Sequence, residues 1–189
     1  MMEYLHELSW DDVFQMWKQH EGFDAGWLRV ATKDKGWPDW ESWRMFTAQQ
    51  LLLSGRKWSL YQMTDPMMDI SNMQIGPYSG WQSRCTEPNT STFFDLAQIP
   101  DQKTFFASHD KVRSMREMFP KDTMFIGLMM KQNSRIVCIE GHHRAMAVAL
   151  ARLEGRSIDD CGSVTIALAT MEDEEIQLLN DVLARGTHK

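Results

Sequence analysis

The run Glu140-Gly141-His142-His143-Arg144 gathers a carboxylate, two imidazoles and a guanidinium around one glycine. It stands between an apolar stretch, Ile136 to Ile139, and a segment rich in small residues, Ala145 to Ala151, so it reads as a strand passing directly into a helix. A helix start leaves backbone N–H groups without partners and carries the positive end of the helix dipole; the natural occupant of such a turn is an anion. Gly141, with no Cβ, allows both a sharp turn and close approach of a phosphate. Arg144 in the first helical turn is unfavourable beside the dipole until an anion is shared between them through charge-assisted hydrogen bonds. His142 and His143 add donors whose charge changes near neutral pH. Glu140, at the carboxyl end of the strand, is suited either to hold Mg²⁺ or to accept a proton from an attacking hydroxyl, with His142 as a second proton-transfer candidate. A structural reading competes, in which Glu140 and Arg144 form an ion pair and one histidine serves the fold. Zinc fits poorly, because adjacent histidines lack the i, i+4 spacing that shares a helical face and no third ligand is evident.

The elements that must position this turn are legible around it. Two apolar runs, Met124 to Met130 and Ile136 to Ile139, are separated by Lys131-Gln132-Asn133-Ser134 and read as strands covered on both faces, since their apolar character is continuous rather than alternating. A helix capped by Ser108 and carrying Val112, Met115, Met118 and Phe119 is expected before them, ended by Pro120. After the helix that ends near Gly155, Val164 to Ala169 reads as a further strand. A last helix is expected with Thr170 as cap, acids Glu172 to Glu175 in its first turn and Gly186 past its end.

Towards the amino terminus the pattern reads as helical to about residue 57. Ser9 and Asp12 can cap a helix bearing Trp10, Val13, Phe14 and Trp17, and a second is expected from Asp39 to Gly55, with Lys33 to Gly36 as a loop between. Trp58 to Met63 alternates like a strand and ends at Asp65-Pro66, and Phe93 to Leu96 reads as another short strand. Ile75 to Asn89 has the composition of a long loop, and Gly76 to Trp81 within it is a candidate lid or acceptor-binding loop. The tryptophans of the first segment serve either its own core or a protein partner, and exposure of Trp37, Trp40 and Trp43 would favour the partner.

Composition narrows the function classes. The net charge of −6 over 189 residues and the lack of a basic stripe argue against nucleic-acid binding, which relies on Lys and Arg neutralising phosphates. No stretch reaches the roughly 18 apolar residues that a membrane span needs, and the start lacks a signal-peptide pattern, so a cytoplasmic protein is expected. Cys85, Cys138 and Cys161 are odd in number and read as reduced thiols.

The run Ile136 to Ala147 resembles the signature of the ParB/sulfiredoxin-like superfamily, in which a strand ends in Gly-x-His-Arg or a close variant and a helix follows. The order of elements from Ser108 to Ala169 is similar as well. Sulfiredoxins carry a catalytic Cys where this chain has His142, and partition proteins continue into a helix-turn-helix domain that the acidic remainder does not offer. The branch that phosphorylates free serine, with Asp-Gly-His-His-Arg, is the nearest, Glu140 standing for its aspartate. The resemblance implies an α/β (α+β) fold: a helical extension over 1–57, a ParB/sulfiredoxin-like core with a small mixed sheet and flanking helices over 58–170, and a terminal helix over 171–189. It also implies a nucleotide (ATP, ADP or CTP) whose phosphates meet Gly141, His142, His143 and Arg144, with Mg²⁺ or proton transfer at Glu140. Its activity would be that of a small-molecule kinase or NTPase acting on an unidentified acceptor, or of a non-catalytic nucleotide sensor or adaptor. Nuclease activity, sometimes attributed to ParB-like domains, is disfavoured by the acidic balance.

Overall fold

In the computed structural model, which describes residues 2–158 and 162–189, the chain is mixed α/β, built on a five-stranded mixed sheet. The strands are β1 (Met2–Leu8), β2 (Trp58–Met63), β3 (Met124–Met130), β4 (Ile136–Glu140) and β5 (Thr165–Met171), in the order β1-β2-β5-β3-β4. The β5–β3 pair is parallel and the others antiparallel. Cys161 lies outside the described residues.

Alternate residues of the central strands feed two cores. Ile126 and Leu128 of β3, Val137 and Ile139 of β4 and Ala167 and Ala169 of β5 face one layer; Phe125, Cys138, Ile166 and Leu168 face the other. Burial on both faces is why these strands are apolar throughout, as expected from the sequence. The first layer is made by α1 (Trp10–Trp17), α2 (Ala25–Arg29) and α3 (Trp40–Gln50), joined by π-helical turns at Lys18–Gly22 and Val30–Asp34. The second consists of α4 (Pro66–Ser71), α5 (Ser79–Gln82), α6 (Phe93–Gln98), α7 (Pro100–Ser108), α8 (Asp110–Glu117) and α9 (His142–Leu153). The final helix, α10 (Gln177–Arg185), returns to the first layer through Leu179 and Val182.

Several local expectations are corrected. The amino-terminal segment is not helical throughout, because Met2–Leu8 add an edge strand to β2. Lys33 and Asp34, expected in a loop, complete a helical stretch that starts with Asp24 as cap of α2. The second long helix ends at Gln50 rather than Gly55, where Leu52 takes a left-handed backbone. Phe93–Leu96 is helical: Thr92 and Asp95 close a capping box, and Phe93, Leu96 and Ala97 are buried at helical spacing. Ser108 ends α7 instead of capping α8, and Met118 leaves the helix and is 81% exposed. Thr170 belongs to β5, so the cap of the acidic turn is Glu172 with Glu175. Among the described residues no helix is long and apolar enough to cross a membrane.

Candidate functional site

β4 ends at Glu140, Gly141 takes φ +110°, and α9 begins at His142. No side chain among the described residues caps this helix start. It opens into a cavity of about 790 Å³ whose walls include the α1–α2 connection, Tyr78 to Trp81, the start of α8 and the Pro120 to Thr123 loop. The turn expected to bind an anion is therefore at a cleft. Gly141 serves the fold first: a Cβ there would lie 2.3 Å from Phe125 Cδ1, so the missing side chain admits the aromatic ring beneath the turn.

The polar groups of the turn divide into engaged and free. Arg144 is buried and donates to the Glu140 carboxylate, to Thr123 Oγ1 and to the Met124 carbonyl, its guanidinium lying over Phe125. Burial raises the Glu140 carboxyl, but Arg144 and, beside it, His20 outweigh that and hold it down to about 2. His142 is spent inside the fold: Nε2 accepts the Gly76 N–H at 3.1 Å and Nδ1 faces Cys138 Sγ at 3.7 Å. Burial, then the neighbouring His143, push its pKa down to about 3, so the ring is neutral. His143 differs. It sits among Trp27, Trp81 and His109, and neither ring nitrogen has a hydrogen-bond partner among the described residues. Burial, then His109 and Lys111, lower it to about 3 as well. His143 and the uncapped backbone of α9 are thus the groups of this turn available to a ligand, both lining the cavity.

Other contributors are distant in sequence. The π-helical turn after α1 projects His20 and Glu21 into the cleft, a kind of irregularity common at functional positions. His20 Nδ1 lies 3.4 Å from Glu140 Oε2 and 3.5 Å from Arg144 Nη2. Glu21 pairs with Arg44, which covers the ring of Trp43, and burial holds its carboxyl above the usual range against the pull of Arg44. Lys111 reaches across the cleft to Asp24 at 3.2 Å and lies over Trp27. None of these is signalled by proximity in the chain; the one hint is two adjacent ionisable residues at the end of an otherwise amphipathic helix.

The Gly76 to Trp81 segment forms a fixed wall. Tyr78 donates its hydroxyl to the Ile139 carbonyl at 3.0 Å, Gln82 donates to Ile75 and Gly76 carbonyls, and Trp81 stacks on Phe106. In the first layer Trp40 and Trp43 are 3% and 4% exposed, and Trp37 donates to the Thr187 carbonyl, so these rings build the core and the partner reading loses its main support.

The donor set does not fit Mg²⁺ at Glu140, because both carboxylate oxygens are held by Arg144. Among the described residues no group of His, Cys, Asp and Glu is placed to hold a metal ion. Comparison of the chain with family models, curated proteins and solved structures finds no match.

Proposed function

We propose that this chain is a nucleotide-binding protein of the ParB/sulfiredoxin-like type, with nucleotide phosphates at the start of α9. The observation that carries the reading is the uncapped amino terminus of a twelve-residue helix, with His143 unbonded beside it, opening into a cavity of about 790 Å³. Backbone N–H groups, the helix dipole and Lys111 supply the attraction for phosphate, and Trp27 and Trp81 supply aromatic surface for a base. A binding role without phosphoryl transfer is favoured by the engagement of Glu140, His142 and Arg144 with protein groups, which leaves the carboxylate neither free to take a proton nor open to a metal.

Thermal denaturation with ATP, ADP and CTP tests the reading. A ligand at 100 times its Kd adds about 2.7 kcal/mol of stability. The expected result is a raised Tm with at least one nucleotide, reduced in Lys111→Ala and in His143→Phe. No shift with any of them at millimolar concentration overturns it.

A further inference from the structure

Glu21 is a buried carboxylate with unequal oxygens. Oε2 accepts all three of its hydrogen bonds, from Trp40 Nε1 at 3.2 Å and from Arg44 Nε and Nη2 at 2.8 and 2.5 Å. Oε1 accepts none among the described residues. Only 9% of the side chain is exposed, Oε1 is not among the fully enclosed unpaired atoms, and Glu21 lines the cavity. Arg44 is fixed in turn by Trp43 and Trp17, which keeps the carboxylate from turning to share its bonds more evenly. A ligand that fills the cleft strips water from Oε1. A ligand without a donor at that point leaves a buried carboxyl oxygen unpaired, which is the condition under which binding sites discriminate most strongly.

We propose that Glu21 is the specificity residue of this cleft, Oε1 accepting a hydrogen bond from a hydroxyl of the ligand, so that the site takes a ribonucleotide in preference to its deoxy counterparts. The inference rests on the nucleotide reading and adds the sugar to it: phosphate at the start of α9, ribose hydroxyl at Glu21. The acceptor comes from the first helical layer and the phosphate site from the second, so both layers are needed for selective binding. Glu21→Gln keeps the shape of the side chain; with its carbonyl oxygen on Arg44 it offers an amide N–H, from which a hydroxyl is able only to accept, so the proton of the ligand hydroxyl loses its acceptor.

The test is titration calorimetry of the full chain with whichever of ATP, ADP and CTP gives the largest thermal shift, and with its 2′-deoxy and 2′,3′-dideoxy forms. The expected result is at least a tenfold weaker Kd for the dideoxy form, shrinking to less than threefold in Glu21→Gln. Equal affinity across the sugar series overturns the role of Glu21 and leaves the nucleotide reading standing. Discrimination that persists in Glu21→Gln overturns it too, assigning the sugar contact to another group. Failure of every nucleotide to bind overturns both. If Glu21→Gln fails to fold, Glu21→Asp, which draws the acceptor back by one methylene, takes its place: reduced discrimination is expected, and undiminished discrimination overturns the role of Glu21.

Discussion

The backbone N–H of Gly76 donates to His142 Nε2 at 3.1 Å, so the first residue of α9 holds the opposite wall of the cleft. An accepting Nε2 places the ring proton on Nδ1, towards Cys138. A Cβ on Gly76 would lie 2.1 Å from the Cys138 carbonyl and 2.9 Å from that nitrogen, leaving no room for any larger residue. Gly76→Ala should therefore cost about 1–3 kcal/mol through forced backbone displacement. Urea denaturation measures it, and an unchanged midpoint would show that the wall is not clamped.

Acid should destabilise the protein through His142 and His143 before Glu140 titrates. His142 and His143 are each held near pKa 3 when folded, against 6.5 for the free side chain. The unfolded chain binds more protons between those values, so stability is full above pH 6.5 and is lost as pH falls towards 3. At pH 5 the loss should be about 2 kcal/mol for each histidine. Glu140, lowered to about 2 from 4.5, adds a loss only below pH 4.5. Chemical denaturation at pH 7 and pH 5 checks the size, and His143→Phe should remove roughly half of the difference.

Much of the frame around the turn is legible because it is local or periodic. β3, β4 and β5 announce themselves by apolar runs, and α1 by the capping pair Ser9 and Asp12. β1 escapes detection because an edge strand exposed on both faces has no alternation to show, and a bulge at Leu5 breaks its register. Phe93 to Leu96 is misread because a short apolar run fits helix or strand, although Thr92 and Asp95 carry the deciding cap. The five residues of the turn identify the cleft, but their division of labour depends on partners that no local pattern reveals. Thr123 and Met124 occupy Arg144, Gly76 occupies His142, and His20 approaches Glu140 from 120 positions away.

Phe125 lies under both Gly141 and Arg144, which ties the turn to β3. Gly141→Ala would force a Cβ into that ring at a backbone φ of +110°, and a loss of about 2–4 kcal/mol is expected from overpacking and left-handed strain together. Phe125→Leu in the same chain should recover the steric part only. Full recovery would show that the left-handed backbone is tolerated by alanine at this turn; no recovery would show that Phe125 is not the obstacle.

Arg144→Ala should damage the fold rather than ligand contact alone. Glu140 is 5% exposed and would be left as an unpaired buried carboxylate, and breaking such a pair from one side typically costs about 3–5 kcal/mol. Removing both charges is milder, so Glu140→Gln with Arg144→Ala should be more stable than Arg144→Ala. A double-mutant cycle in urea measures the coupling, and additive losses would mean that the pair does not act as a unit.

Metal removal separates binding from the phosphoryl-transfer role that the resemblance implies for Glu140. With both carboxylate oxygens on Arg144, nucleotide affinity should not depend on a cation held by Glu140. The Tm shift produced by ADP should therefore survive excess EDTA, and Glu140→Gln should not abolish it beyond the loss of basal stability. Phosphate release from ATP should stay at the solution background with Mg²⁺ present, since Glu140, the carboxylate of the turn, has both oxygens held by Arg144. A shift that vanishes on chelation and returns with Mg²⁺, together with turnover lost in Glu140→Gln, would mean that the ligand draws Arg144 away from Glu140 and frees the carboxylate. That outcome would make the ion pair the resting state of a catalytic group, and the buried Arg144 a phosphate ligand after all.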